Sequence, residues 1–403
     1  MSAPATQRDV RIAYIVEGIA CLGTNLLLIG VYFYTHSRLG WTLKQNFLLA
    51  TGQGLVGGVG SLLAHPISSR LSRRGALIGI YIAMALLPAI LLMVDSAAAI
   101  ATLLLIYTMV VSLSWPMLES FVATGVQHEE LSRRIGIYNL VWSGAAVLII
   151  AASGWLIKHI PSAVFIVPLV VHAVSAILIM LVREPADPDV AHEAVHAEPG
   201  LLQLRRLALA LSRVSLPATY VVIYSMMAML PSLPAIRTLS PTMATLIGST
   251  WMAARWLTFL ILGSTVWWHT RPRILVAAAI AMVLAFLGII LPGSRVWIWA
   301  GSSDSALLSW MIASQILLGL CVGAIYAASL YFGMVLSGGS AEHAGYHESL
   351  INFGSAIGPI AGVVAEVWYP GNIYVVVSAV TGVVGLSVAA TVFTSLLAGK
   401  RQA

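Results

Sequence analysis

Residues 242–268 read TMATLIGSTWMAARWLTFLILGSTVWW, and Arg255 is the single charged side chain in that run. A helix rising 1.5 Å per residue needs about 20 apolar residues to cross about 30 Å of hydrocarbon, so this stretch is long enough to span a membrane. Its arginine then stands near mid-depth. A guanidinium there costs roughly 2.5–3.5 kcal/mol on insertion scales and has to face protein or a watery cavity rather than lipid. Arg255 is therefore a candidate for binding chemistry, with pairing to a carboxylate between two helices as the plainer alternative.

The rest of the chain agrees with a membrane setting. Of 403 residues, 59% are hydrophobic and only 9% charged, and the mean hydropathy is +0.93. Soluble domains carry roughly 25% charged residues, so this composition is built for lipid. The net charge of +6 does not point to nucleic acid, because the basic residues sit in short clusters between apolar runs. Cys21 and Cys321 lie inside apolar segments without partners at metal-ligand spacing, and read as small buried hydrophobes. No cofactor or metal is expected. Residues 1–11 are polar and lead into an apolar run without a cleavage pattern, so the first helix is expected to be retained.

Apolar segments fall near residues 12–35, 46–67, 75–94, 97–120, 135–158 and 162–182, and again near 215–236, 242–268, 273–292, 306–333, 346–368 and 371–397. This predicts an all-α membrane protein with twelve transmembrane helices. Residues 1–182 form one six-helix bundle and 215–403 the other. Between them, 183–214 reads as a linker carrying a short amphipathic helix, LLQLRRLALALSR from Leu201 to Arg213.

Fifteen Lys and Arg fall in loops on the side of the N terminus, five on the other side, and Arg255 completes the 21. The positive-inside rule then places both termini and the linker in the cytoplasm, in a bacterial inner membrane. Trp297 and Trp299, and Trp368 with Tyr369, fit interfacial anchors.

An internal repeat supports two halves. RRIGIYNLVWSGAAV from Arg133 aligns with EHAGYHESLINFGSAIGP from Glu342, Gly136 falling on Gly345 and Asn139 on Glu348. Half-length repeats are how many secondary transporters are built, with a site near the midplane between them.

Twelve crossings, a central linker and two similar halves resemble the major facilitator superfamily across the whole chain. That family's loop between helices two and three has the pattern G-x-x-x-D-R-x-G-R-R. Here His65–Arg74 keeps Arg70, Arg73 and Arg74, while His65 and Ser72 replace glycines and Ser69 replaces the aspartate. The resemblance implies two pseudo-symmetric six-helix bundles and alternating access. The missing aspartate puts the usual latch on the cytoplasmic side in doubt.

Glu17, six residues beyond Arg11, lies roughly 9 Å into the first helix, where a carboxyl group facing a cavity can carry a proton. It is the candidate for proton coupling, with Arg255 as the opposite charge of an ion pair. Glu119, Asn139, His347 and Glu348 fall near cytoplasmic helix ends, and with Arg70, Arg73, Arg74, Arg133 and Arg134 they read as a salt-bridged gate. His347 and Glu348 could equally belong to a proton path. Gln53 and Gln315 are candidate substrate ligands, although amides in membrane helices more often bond a neighbouring helix. Glu366 near an outer helix end and His172 look peripheral. The glycine run 52–60 is a packing signal, since no strand precedes its G-x-G.

No G-x-x-x-x-G-K-[ST], H-E-x-x-H or G-x-S-x-G pattern supports an ATPase or an enzyme. The expectation is a monomeric secondary transporter for a small anionic or carboxylate-bearing solute, with protons as the candidate coupling ion and lipid as its surroundings. An exporter of amphiphilic compounds, a uniporter, and a non-transporting sensor or assembly factor on the same scaffold are the alternatives.

Overall fold

The computed structural model describes residues 6–123, 128–183, 199–296, 299, 301–337 and 341–400. Twelve helices in it are long and apolar enough to cross a membrane. They are α1 (Gln7–Leu39), α2 (Leu43–Leu71), α3 (Arg73–Leu91), α4 (Ala97–Ala123), α5 (Glu130–His159), α6 (Ala163–Met180), α7 (Gly200–Ser232), α8 (Pro241–Gly263), α9 (Arg273–Gly293), α10 (Asp304–Ser337), α11 (Glu342–Trp368) and α12 (Ile373–Ala398). Helices are the expected solution, because each backbone N–H and C=O is then satisfied within its own segment. An even number of crossings puts both ends of the chain on one side, called here the terminal side.

Local sequence sets several of the helix ends. Thr6 caps α1 and Thr42 caps α2, in capping boxes closed by Asp9 and Gln45. Ser240 caps α8 just before Pro241, whose missing N–H costs nothing at a first helical position. Between α1 and α2 the chain turns at Gly40, whose φ of 65° is a conformation glycine adopts freely.

One expectation is corrected at the centre of the chain. The amphipathic segment from Leu201 to Arg213 is not a separate interfacial helix, because a single helix runs from Pro199 to Met229. No breaker stands between Arg213 and Ser215, and Pro217 is accommodated inside the helix. The first part of the expected linker, together with Trp297, lies outside the described residues.

The two halves meet along α2 with α11 and along α5 with α8. Small residues make these contacts close: a Cβ added at Gly54 would overlap the Ala356 backbone, and one at Gly154 the Pro241 carbonyl. Near the terminal side, Gly136 of α5 faces Gly263 of α8, and a Cβ on Gly136 would sit 3.5 Å from the Gly263 Cα. The glycine run of α2 is thus a packing surface, as its composition suggested.

Two of the spans are interrupted along their length. In α1 the α-helix gives way to a π-helical turn at Leu26–Gly30 before resuming at Val31. In α8 the helix stops at Gly248 and restarts at Thr250. Such interruptions concentrate where a helix has to present side chains to a site.

Candidate functional site

Between the halves lies a cavity lined by residues of both. Its walls come in helical pairs four residues apart: Glu17 with Cys21 on α1, Trp115 with Glu119 on α4, and Tyr138 with Trp142 on α5. The second half supplies Tyr220 with Tyr224 on α7, Trp251 with Arg255 on α8, and Glu348 with Asn352 on α11. Residues at i and i+4 share one helix face, so each of six helices turns one polar or aromatic face inward. The π-helical turn of α1 adds Leu28 and Ile29 to the wall.

Arg255 is 3% exposed, and its guanidinium carbon lies 4.5 Å from the Trp142 ring centre and 4.8 Å from that of Trp251. The two indoles hold the cation by their negative π-faces, an interaction worth about 0.5–2 kcal/mol each way. Its Nε has no hydrogen-bond partner, and Arg255 forms no ion pair with any described residue. The expected Glu17–Arg255 ion pair is therefore not formed. Glu17 instead accepts a hydrogen bond from the Cys21 thiol at 3.2 Å.

Glu17, Glu119 and Glu348 are each no more than 4% exposed and line this one cavity. One Glu119 oxygen has no partner among the described residues. The cavity therefore holds three carboxyl groups against one guanidinium, in an interior that screens charge poorly.

The salt-bridged gate does not form as expected, because Glu119 and Glu348 face the cavity and not the loop arginines. Three of those arginines donate to groups of their own half. Arg73 donates to the Ser120 hydroxyl at 3.1 Å, Arg74 to the Met180 carbonyl at 2.6 Å, and Arg134 to the Val122 carbonyl at 3.3 Å. Helix C-termini end in unsatisfied carbonyls and partial negative charge, which attract cations. Arg133 and Arg134 also pair with Glu130, while Arg70 is exposed.

A set of packed rings lies on the terminal side of the cavity. Phe259, Trp142 and Tyr326 have centres 5.4–5.7 Å apart. Beyond them a second, smaller space is lined by residues of both halves, among them Gly136, Asn139, Phe259 and Gly263. Asn139 accepts a hydrogen bond from the Trp142 indole at 3.0 Å and so orients that ring.

Gln53 and Gln315 do not line the cavity. Gln53 accepts from Tyr32 at 2.7 Å and donates to the Leu27 carbonyl at 3.2 Å, tying α2 to the π-helical turn. Gln315 is fully buried in α10, with both amide atoms unpartnered among the described residues. His347 bonds Ser329 at 2.9 Å, His172 bonds Tyr107 at 2.7 Å, and Glu366 accepts from Gly371 at the opposite end. None of the three lines the cavity.

Sequence reading missed the aromatic walls and Asn352. The available signal was their position: Trp142 and Trp251 lie within their spans, whereas tryptophans that serve as anchors collect at the membrane interfaces.

The sequence matches the model of the Major Facilitator Superfamily over residues 13–309. Among solved structures the fold is similar to the nucleoside transporter NupG, with a TM-score of 0.66 and 12% identity over 96% of this chain and 98% of that one. It is similar also to FucP, described as a transporter of that superfamily in the outward conformation (0.60, 14%, 96% and 98%), and to the human organic anion transporter MFSD10 (0.58, 14%, 96% and 99%). At these identities the likeness is one of fold. No protein of curated function matches in sequence.

Proposed function

The chain belongs to the major facilitator superfamily, and from that premise we propose that it is a secondary active transporter of a small anionic or carboxylate-bearing solute. The solute enters the cavity between the halves, which rock to open it to one side of the membrane at a time. The observation that carries this reading is Arg255, a buried guanidinium facing the cavity with two indole rings against it and no acid among the described residues paired to it. A planar cation so held presents its N–H edges to a carboxylate in a two-point bond that a lysine cannot reproduce.

Protons are the proposed coupling ion, carried by Glu17, Glu119 and Glu348. An anionic solute entering beside three carboxylates meets like charge, and protons arriving with it offset that repulsion. Both walls of the cavity come from one chain, which supports a working monomer. The rings of Trp142, Phe259 and Tyr326 are the proposed barrier on the terminal side, in place of a salt-bridged gate.

The loop arginine asymmetry supports cytoplasmic termini in a bacterial inner membrane. Cysteines placed at Asp189 and Glu198, which lie outside the described residues, test this: they should react with an impermeant thiol reagent only after cells are opened.

A second reading is an exporter of amphiphilic compounds, favoured by the aromatic lining of Trp115, Tyr138, Tyr220 and Tyr224. Uptake into proteoliposomes separates the two. A carboxylate solute driven by a pH gradient and lost in Arg255→Ala supports the first, and transport of amphiphiles unaffected by that change supports the second.

A further inference from the structure

A groove opens on the second half and shares no lining residue with the solute cavity. Its walls are almost wholly apolar, running from Ile261 and Trp267 across to Leu320, Ala324 and Phe332 on α10. Trp267 is 44% exposed and Ile261 43%. The loop between α8 and α9 closes the groove at the terminal side, and there the chemistry changes. Arg271 lies at this rim, with its guanidinium carbon 5.7 Å from the Trp267 ring centre.

The same loop walls a second, more polar depression, which shares Arg271, Pro272 and Ile274 with the groove and adds Arg273. Leu204 and Leu207 of α7 line it too, and Arg205 of the same helix lies near enough to His269 of this loop to act on its charge. None of Arg205, Arg271 and Arg273 makes an ion pair with a described residue. His269 in this loop adds no charge at neutral pH, because burial first and Arg205 second hold it below the usual histidine range, at about 4.

Unpaired guanidinium groups, tryptophans at the depth where aromatic belts sit, and a dry groove beneath them match the three zones of a phospholipid. We propose that this is a binding site for an anionic phospholipid, with its phosphate on Arg271 and Arg273 and an acyl chain in the groove between α8 and α10. Charge complementarity selects the headgroup. The groove requires the chain.

The test uses the full-length protein in detergent, with dioleoyl phosphatidylglycerol, dioleoyl phosphatidylcholine and inorganic phosphate as separate probes. Bound lipid is counted by native mass spectrometry and scored by the shift in Tm. Phosphatidylglycerol should be retained and should raise Tm, while the other two do neither. Arg271→Gln with Arg273→Gln should weaken retention by about fivefold per arginine, roughly 25-fold together, from the attraction expected per basic residue at a membrane surface. Arg237→Gln at the opposite end should leave it unchanged. Should the double variant not fold, Ala324→Trp fills the groove and spares the arginines, and it should lose the lipid as well. Equal retention of phosphatidylcholine, an equal Tm shift from phosphate alone, or undiminished retention by either variant would overturn the proposal.

Discussion

Arg255 on α8 and Trp142 on α5 belong to opposite halves of the chain, and the guanidinium of one lies 4.5 Å from the ring centre of the other. The contact spans the interface that opens in the alternating access proposed above, so the residue proposed to hold the solute is itself steadied across that interface. Trp251, four residues before Arg255, covers it from the same helix and travels with it.

Removing the cross-half ring should weaken solute binding without unfolding the protein. For Trp142→Ala, the expected loss is about 0.5–2 kcal/mol, or roughly 2- to 30-fold in affinity, with Trp142→Phe in between. Titration of purified variants measures it. An unchanged affinity would mean that Trp251 alone orients the arginine.

The three carboxyl groups should separate coupling from binding. Replacing Glu17, Glu119 or Glu348 with Gln removes a proton carrier while keeping the shape of the wall. At least one such variant should lose uptake driven by a pH gradient and keep solute exchange at equal concentrations. Gradient-driven uptake intact in all three would leave these residues without a part in coupling.

Phe259 should act as a barrier. Phe259→Ala opens the ring cluster between the two cavities, and impermeant thiol reagents added from the terminal side should reach Cys21, which lines the solute cavity, several times faster. A shift of about 1–3 kcal/mol between the closed and open states is the scale typical of such couplings. Unaltered labelling would place the barrier elsewhere.

Ser72 carries a backbone cost. Its φ of 63° and ψ of 149° fall in a region essentially reserved for glycine, at a position where the family's loop pattern has glycine. Its hydroxyl offsets part of the strain by accepting from the Gly75 N–H at 3.2 Å. Strain of about 1–3 kcal/mol exceeds the few tenths lost when glycine replaces a capping serine. Ser72→Gly should therefore raise Tm, and a lower Tm would show that the cap outweighs the strain.

All twelve crossings were legible in the sequence, because apolar length is set by bilayer thickness. Helix ends were less so, since α7 and α10 run past the apolar stretch without a breaker to stop them. Arg255 could be found because a lone charge in an apolar run is conspicuous. Glu119 and Glu348 were misplaced into a gate for a related reason: distance from a helix end gives depth, and says nothing about which face a side chain occupies. Their partners at i±4, Trp115 and Asn352, carry that information. The π-helical turn of α1 had no sequence mark, because Leu26–Gly30 is as apolar as its surroundings.

The central claim is that Arg255 receives the anionic group of the solute. A thermal-shift screen of small metabolites, run in parallel on the native protein and on Arg255→Ala and Arg255→Lys, tests it most directly. Carboxylate-bearing compounds should raise the Tm of the native protein, the lysine variant should respond weakly, and the alanine variant should not respond. Compounds that stabilise native and Arg255→Ala protein equally, or a response confined to solutes without an anionic group, would contradict it.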